Sequence, residues 1–159
     1  MIREMLGIAE GILQDLHNDH SEVDALLGNI MSSQDRAERD RLFSEMKRKL
    51  LPHLEAEQEV LYQRLETGKS EGSRKFGHEG TSEHAMVEQQ VEKISAMHDT
   101  MGDRWIAELK VLQDLIEHHV GEEESTGFGC ARDEFAKEEL EAMSKQFQTR
   151  KAQLATRVA

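Results

Sequence analysis

The sequence predicts an all-α protein: an up-down-up-down four-helix bundle with an additional C-terminal helix. Three observations carry that prediction. Apolar residues recur at alternating three- and four-residue spacings, a single proline interrupts the chain, and charged residues (33%) are interleaved with the apolar ones rather than replacing them. A chain of 159 residues is long enough to bury one sizeable core. Residues 1–159 therefore read as a single domain, with the bundle in about 1–125 and the last helix in about 131–157.

Each helix has its own apolar seam. In the first segment Ile2, Leu6, Ala9, Leu13, Leu16, His20, Val23, Leu27 and Ile30 follow the 4-3 spacing of a bundle, with a histidine in the middle. The polar stretch SSQDRAERD (32–40) reads as the connection. Phe43, Met46, Leu50, His53, Glu57 and Val60 continue the pattern, and Pro52 predicts a kink just before His53. The glycine- and serine-rich run GKSEGSRKFGHEG (68–80) reads as the longest linker, with Thr81 or Ser82 capping a third helix. That helix carries His84, Val87, Val91, Ile94 and His98. After DTMGD, Asp103 is placed as the cap of a fourth helix with Trp105, Leu109, Leu112, Ile116, His119 and Glu123 on its seam. STGFG (125–129) reads as a break. Beyond it, Phe135, Leu140, Met143, Phe147 and Leu154 are spaced for docking along one side of the bundle.

Composition narrows the function. A formal charge of −12 opposes binding to nucleic acid, which requires a basic face to displace counterions, and to anionic membranes. No run reaches the roughly 18 apolar residues of a membrane span, and the charged start MIREMLGIAEGILQDLH lacks a signal-peptide core. The one cysteine, Cys130, has no intrachain partner, which fits a reducing compartment. A cytoplasmic protein is the expectation.

The chemistry lies in a repeat. DHSEVD (19–24) is followed, 33 residues after His20, by His53 and then Glu57 one helical turn on. EHAMVE (83–88) is followed, 35 residues after His84, by His119 and then Glu123. Each half thus supplies one histidine from its first helix and an H-x-x-x-E pair from its second. All six residues stand on seams, where an unpartnered polar group costs a few kcal/mol and an unpaired carboxylate more. Four imidazoles and two carboxylates cannot all satisfy one another, whereas a metal centre satisfies all six. Residues four apart lie about 40° apart around the helix and about 6 Å along it, so each pair can reach one centre. Mixed imidazole and carboxylate donors suit Zn, Fe, Mn or Cu, and two bridging carboxylates among four histidines suit a pair of octahedral irons better than one tetrahedral zinc.

Other histidines fit less well. His98 stands 14 residues beyond His84, roughly 21 Å along a helix. His17 lies on a flank as a neighbour of the site, and His78 and His118 read as solvated. Asp24 and Glu88, four residues after His20 and His84, are either surface charges or neighbours of the metal. Ferritin-like Glu-x-x-His is missing from all eight histidines, and HEGTSEH (78–84) lacks zinc-protease spacing.

With these residues in view, the chain resembles the hemerythrin-like family, also called the HHE cation-binding domain. LHNDH, HLEAEQEVLY, EHAMVE, HHVGEEE and the tail FAKEELEAMSKQF carry the resemblance, from about residue 10 to 150. It implies two iron ions in an oxo- or hydroxo-bridged non-haem centre, His20 and His53 on one iron, His84 and His119 on the other, and Glu57 and Glu123 bridging. The oxygen carriers of that family have a further histidine one turn before the third-helix one. Here that residue is Gly80, so Glu88, Asp24, a neighbour such as Glu122, or water is expected in its place, and Gly80→His would restore H-x-x-x-H. Such a site favours sensing, scavenging or binding of O2, peroxide or NO over long-lived oxygen storage. Alternatives are an enzyme consuming peroxide or NO, with His17, Tyr62 or Glu88 as proton donor, and a metal-dependent module meeting a protein partner or a second copy of itself through the last helix or the 68–80 segment.

Overall fold

A computed structural model describes residues 10–158, and Ile2, Leu6 and Ala9 of the first seam lie outside them. Among the described residues every regular element is helical: α1 (Ile12–Ser32), α2 (Arg36–Glu57), α3 (Gln63–Glu66), α4 (Glu71–Ser95), α5 (Asp103–Glu122), α6 (Phe128–Glu134) and α7 (Lys137–Ala155). Two wider π-helical turns, π1 (Gln58–Tyr62) and π2 (Glu123–Gly127), join α2 to α3 and α5 to α6 without a break. Five rods result: a four-helix bundle and an added C-terminal helix.

The direction of each rod can be read from its buried residues. One apolar cluster contains Leu13 and Leu16 before His20, Leu61 and Leu65 after Glu57, Phe76 before His84, and Phe128 after Glu123. The other contains Val23 and Leu27 after His20, Met46 and Leu50 before His53, Val87 and Val91 after His84, and Leu109 and Leu112 before His119. The order reverses from rod to rod, so neighbours run antiparallel. The six seam polar groups form a layer between two apolar halves.

Several local readings change. The 68–80 run is mostly helix: Ser70, not Thr81 or Ser82, caps α4, its hydroxyl accepting from the Ser73 amide at 3.0 Å. Its glycines mark close approach, not a linker. A Cβ on Gly77 would come within 2.8 Å of the Glu66 backbone nitrogen, because α3 packs directly on α4. STGFG is no break either, since π2 and α6 carry the fourth rod on to Glu134, and only Phe135, in extended backbone, starts the turn into α7. Gly102, not Asp103, stands at the start of α5. Pro52 stands inside a continuous α2, so the helix does not restart at His53. Asp35 accepts from the Glu38 amide at 2.8 Å and so caps α2 within the polar connection.

The C-terminal helix packs on α1 and α2 and buries Leu140, Met143, Phe147 and Leu154. Met143 is fully enclosed, so Met143→Ala should destabilise the protein by about 2–5 kcal/mol in urea titrations. A loss well under about 1 kcal/mol would mean that this helix contributes little to the fold.

Candidate metal centre

The layer between the two apolar halves holds His20 from α1, His53 and Glu57 from α2, His84 from α4, His119 from α5, and Glu123 at the start of π2, all buried. Donor atoms of Glu57, His84, His119 and Glu123 lie within 4.8 Å of one another, a set able to hold a metal ion. His20 and His53 stand beside this set, their rings 5.2 Å apart, and the rings of His84 and His119 are 4.6 Å apart. The imidazoles are therefore grouped in two pairs. Each carboxylate touches both pairs: Glu57 Oε1 is 3.5 Å from His53 Nε2 and 3.1 Å from His84 Nε2. Glu123 places Oε1 3.1 Å from His20 Nε2 and Oε2 3.6 Å from His119 Nε2.

Proximity does not make these groups satisfied. Among the described residues the buried side-chain atoms without a hydrogen-bond partner are His20 Nε2, both oxygens of Glu57, Glu123 Oε1 and Thr100 Oγ1. All but the last belong to the cluster, and the short distances between them are not aligned as hydrogen bonds. Native interiors rarely leave such atoms unpaired. Lone-pair donors gathered without hydrogen-bond alignment are what a cation would satisfy, so the residues present fit a metal.

The outer nitrogen of each imidazole has a partner. His53 Nδ1 lies 2.8 Å from Asp19, His119 Nδ1 3.0 Å from Glu83, and His20 Nδ1 3.3 Å from Glu124. A carboxylate can only accept, so each of these imidazoles donates from Nδ1 and turns Nε2 inward, where loss of its proton would free a lone pair for a metal. The fourth, His84, meets the neutral side-chain amide of Gln58 at 3.0 Å. His17 does not reach the layer; it pairs with Glu124 from outside.

Charge is balanced internally. Burial works against a charged Glu57, yet His53 and His84 outweigh it and hold that carboxyl well below its usual range. Burial likewise disfavours a charged His20, but contacts with Glu123 and Glu124 raise it to about 10. Burial alone dominates at His84, whose pKa falls. Protons on the imidazoles thus stand in for positive charge that a metal would bring.

Sequence reasoning offered Tyr62 only as one of three proton-donor candidates and did not foresee its place against Gly80 and Glu123. Tyr62, at the end of π1, is fully buried and donates its hydroxyl proton to Glu123, with its oxygen 3.1 Å from His119 Nε2. Burial, then the charges of Glu123 and Glu57, push the phenol well above its usual pKa, so it stays protonated. Its ring fills the space that Gly80 leaves, and a Cβ at position 80 would lie 2.7 Å from Tyr62 Cε2. The place expected for the imidazole of the Gly80→His replacement is occupied by this ring. Glu88 borders a surface groove with Pro52, Glu55 and Arg157, Asp24 lies in an outer depression, and Glu122, His78, His98 and His118 are exposed. The overlooked signal was the repeat itself: Tyr62 follows Glu57 by five residues, as Phe128 follows Glu123.

A small cavity of about 20 Å³ adjoins the layer, with His20, His53 and His119 on one side and Val23, Leu50, Leu54, Val87, Ile116 and Val120 around it. It can take one water-sized guest. An open depression of about 300 Å³ shares His20, Ile116 and Val120 with it and leads outward past Asp24 and Gly121.

Comparison with known proteins agrees with this layer. The model of the hemerythrin HHE cation-binding domain matches residues 11–131. A DNA nickase of Nostoc sp. (strain PCC 7120 / SAG 25.82 / UTEX 2576) is 29% identical over 147 residues, covering 92% of this chain and 41% of that protein. The chain thus spans less than half the length of this relative. No solved structure matches the chain.

Two outcomes follow from the geometry. Glycine to alanine in a helix normally stabilises by about 1 kcal/mol, but Gly80→Ala should destabilise because its methyl meets the Tyr62 ring. Tyr62→Leu should relieve that penalty and Tyr62→Phe should not, which a double-mutant cycle in urea would show. A base whose pKa rises on folding stabilises the fold fully below its unfolded value and loses that contribution above its folded one. Chelated, metal-free protein should therefore lose stability as the pH climbs from about 6.5 to about 10, measured by denaturant titration across that range.

Proposed function

The chain belongs to the hemerythrin HHE cation-binding domain family, and on that premise we propose that it is a non-haem di-iron protein that binds O2 or a related small molecule, peroxide or NO, as sensor, scavenger or binder. The observation that carries this reading is the arrangement of orphaned Glu57 and Glu123 oxygens between two pairs of imidazoles. One ion would be held by His20 and His53 and the other by His84 and His119, with Glu57 and Glu123 spanning the two. Nitrogen and oxygen donors in this ratio suit two octahedral irons. When bound, iron supplies electrons and coordination positions for such small molecules.

The chain's residues do the rest. Asp19, Glu83, Glu124 and Gln58 orient the imidazoles. The apolar wall of Val23, Leu50, Leu54, Val87, Ile116 and Val120 leaves room for one water-sized guest beside His20, His53 and His119 and disfavours large ones. Tyr62 occupies the opposite side, against His119 and Glu123, and holds a proton one hydrogen bond from a bridging carboxylate. The polarity of that side and the apolarity of the other favour entry through the His20 and His53 end. Among the described residues no helix is long and apolar enough to cross a membrane.

The nicking activity named for the Nostoc relative is not carried over. This chain spans 41% of that protein, and a formal charge of −12 opposes contact with a phosphate backbone.

Metal analysis of protein from iron-supplied cells, with optical spectra before and after air, peroxide or NO, tests the reading. About two irons per chain and a spectral response to at least one of these are expected. Glu57→Ala and Glu123→Ala should each abolish most iron binding, and Glu88→Ala, remote from the layer, should leave it intact. A single tightly held zinc, with melting indifferent to chelation, would overturn the proposal.

A further inference from the structure

The segment matched by the family model ends at residue 131, yet α7, at Lys137–Ala155, reaches the metal layer. Lys151 sets its Nζ 2.9 Å and 2.8 Å from the two oxygens of Asp19, the same carboxylate that meets His53 Nδ1 at 2.8 Å. One turn earlier on the same face, Phe147 lies edge-on to His53 with centroids 5.6 Å apart, and Lys151 Nζ sits 4.9 Å above the Phe147 ring. Asp19 and His53 are buried, and Lys151 is partly buried at 21% exposure. An ammonium bound to both oxygens fixes the rotation of a carboxylate that would otherwise pivot about its side chain. A fixed carboxylate in turn fixes the plane and the tautomer of the imidazole it holds.

We propose that Lys151 is a positioning residue of the metal centre, acting through Asp19 to aim His53, and that the C-terminal helix is thereby a structural part of that centre. The inference rests on the metal-binding reading above. It concerns only one of the two imidazole pairs, because the corresponding partner of His84 is the neutral amide of Gln58. The sign of the effect is distinctive. A lysine acting only by its charge repels a nearby cation, so removing it would tighten metal binding. A lysine acting by orientation does the opposite.

The test is competition of Fe(II), under anaerobic conditions, between a chelator and the full chain, with Co(II) as an optical probe of each position. Lys151→Met should weaken one of the two ions by about tenfold or more and shift one component of the Co(II) spectrum, leaving the other ion as in the parent. Asp19→Asn should do the same, and the double variant should lose no more than Asp19→Asn alone, because both act through one carboxylate. Ser144→Ala and Arg150→Gln serve as controls: they cut contacts of the same helix to Asp15 and Glu59 without touching Asp19. They should lower melting temperature and leave both metal affinities unchanged. Unchanged or tighter iron binding in Lys151→Met, additive effects in the double variant, or equal metal loss in the controls would each overturn the proposal. A parent chain that holds fewer than two ions would instead overturn the di-iron reading.

Discussion

Two carboxylates with no exposure to solvent, Glu57 and Glu123, are the constraint on which this structure turns. Each would be expensive to bury alone, and both Glu57 oxygens and Glu123 Oε1 find no hydrogen-bond donor, while Glu123 Oε2 accepts from the Tyr62 hydroxyl. The fold answers with successive shells: four imidazoles in contact with the pair, then the acceptors Asp19, Glu83 and Glu124 and the amide of Gln58 behind the imidazoles, then the Lys151 ammonium behind Asp19. The shells alternate in character because each layer of polar groups needs the next to satisfy it. The apolar clusters above and below keep water from doing that job, so the layer suits a metal ion, which would displace the protons of the imidazoles.

The two π turns are part of the same solution. Both begin at or directly after the second residue of an H-x-x-x-E pair, and both carry an aromatic residue at or just beyond their end, Tyr62 or Phe128, into the same apolar cluster. A π turn widens the helix and accommodates one more residue per turn than α geometry, a local strain found mostly at functional sites. Here it lets the carboxylate face the bundle axis while the following aromatic still reaches the core. Gly80 then completes the fit in one half, its missing Cβ admitting the Tyr62 ring.

The four seams and the six polar residues on them were legible because burial and helical period act together: a histidine or glutamate at an apolar position stands out against a 3-4 rhythm. The 68–80 segment was misread because glycine signals two different things. In a chain without neighbours Gly77 and Gly80 look like flexibility, but here they permit close approach of α3 and π1, which sequence spacing does not reveal. STGFG misled for a related reason, since π2 is held by its tertiary setting rather than by helix propensity. Asp19, Glu83 and Glu124 were invisible as partners because they lie next to site residues in sequence, and only the three-dimensional arrangement tells a backing carboxylate from a surface one.

The repeat is pseudo-symmetric, and its departures from symmetry all distinguish one imidazole pair from the other. Tyr62 carries a hydroxyl where Phe128 has none, and that hydroxyl reaches Glu123 on the His119 side. Around His20 and His53 the cavity walls are aliphatic, and both imidazoles are backed by carboxylates, one of them clamped by a lysine. Around His84 and His119 one backing group is neutral. A carboxylate partner makes an imidazole a stronger donor than an amide does, so the His20 and His53 position is electron-rich and adjoins the apolar cavity, while the other is electron-poorer and adjoins a phenol. The two halves of one repeated motif thus differ in surroundings: one lies beside the apolar cavity, and the other has a phenol at hand. The symmetry supplies the candidate donor set, and its breaking gives the two imidazole pairs different surroundings.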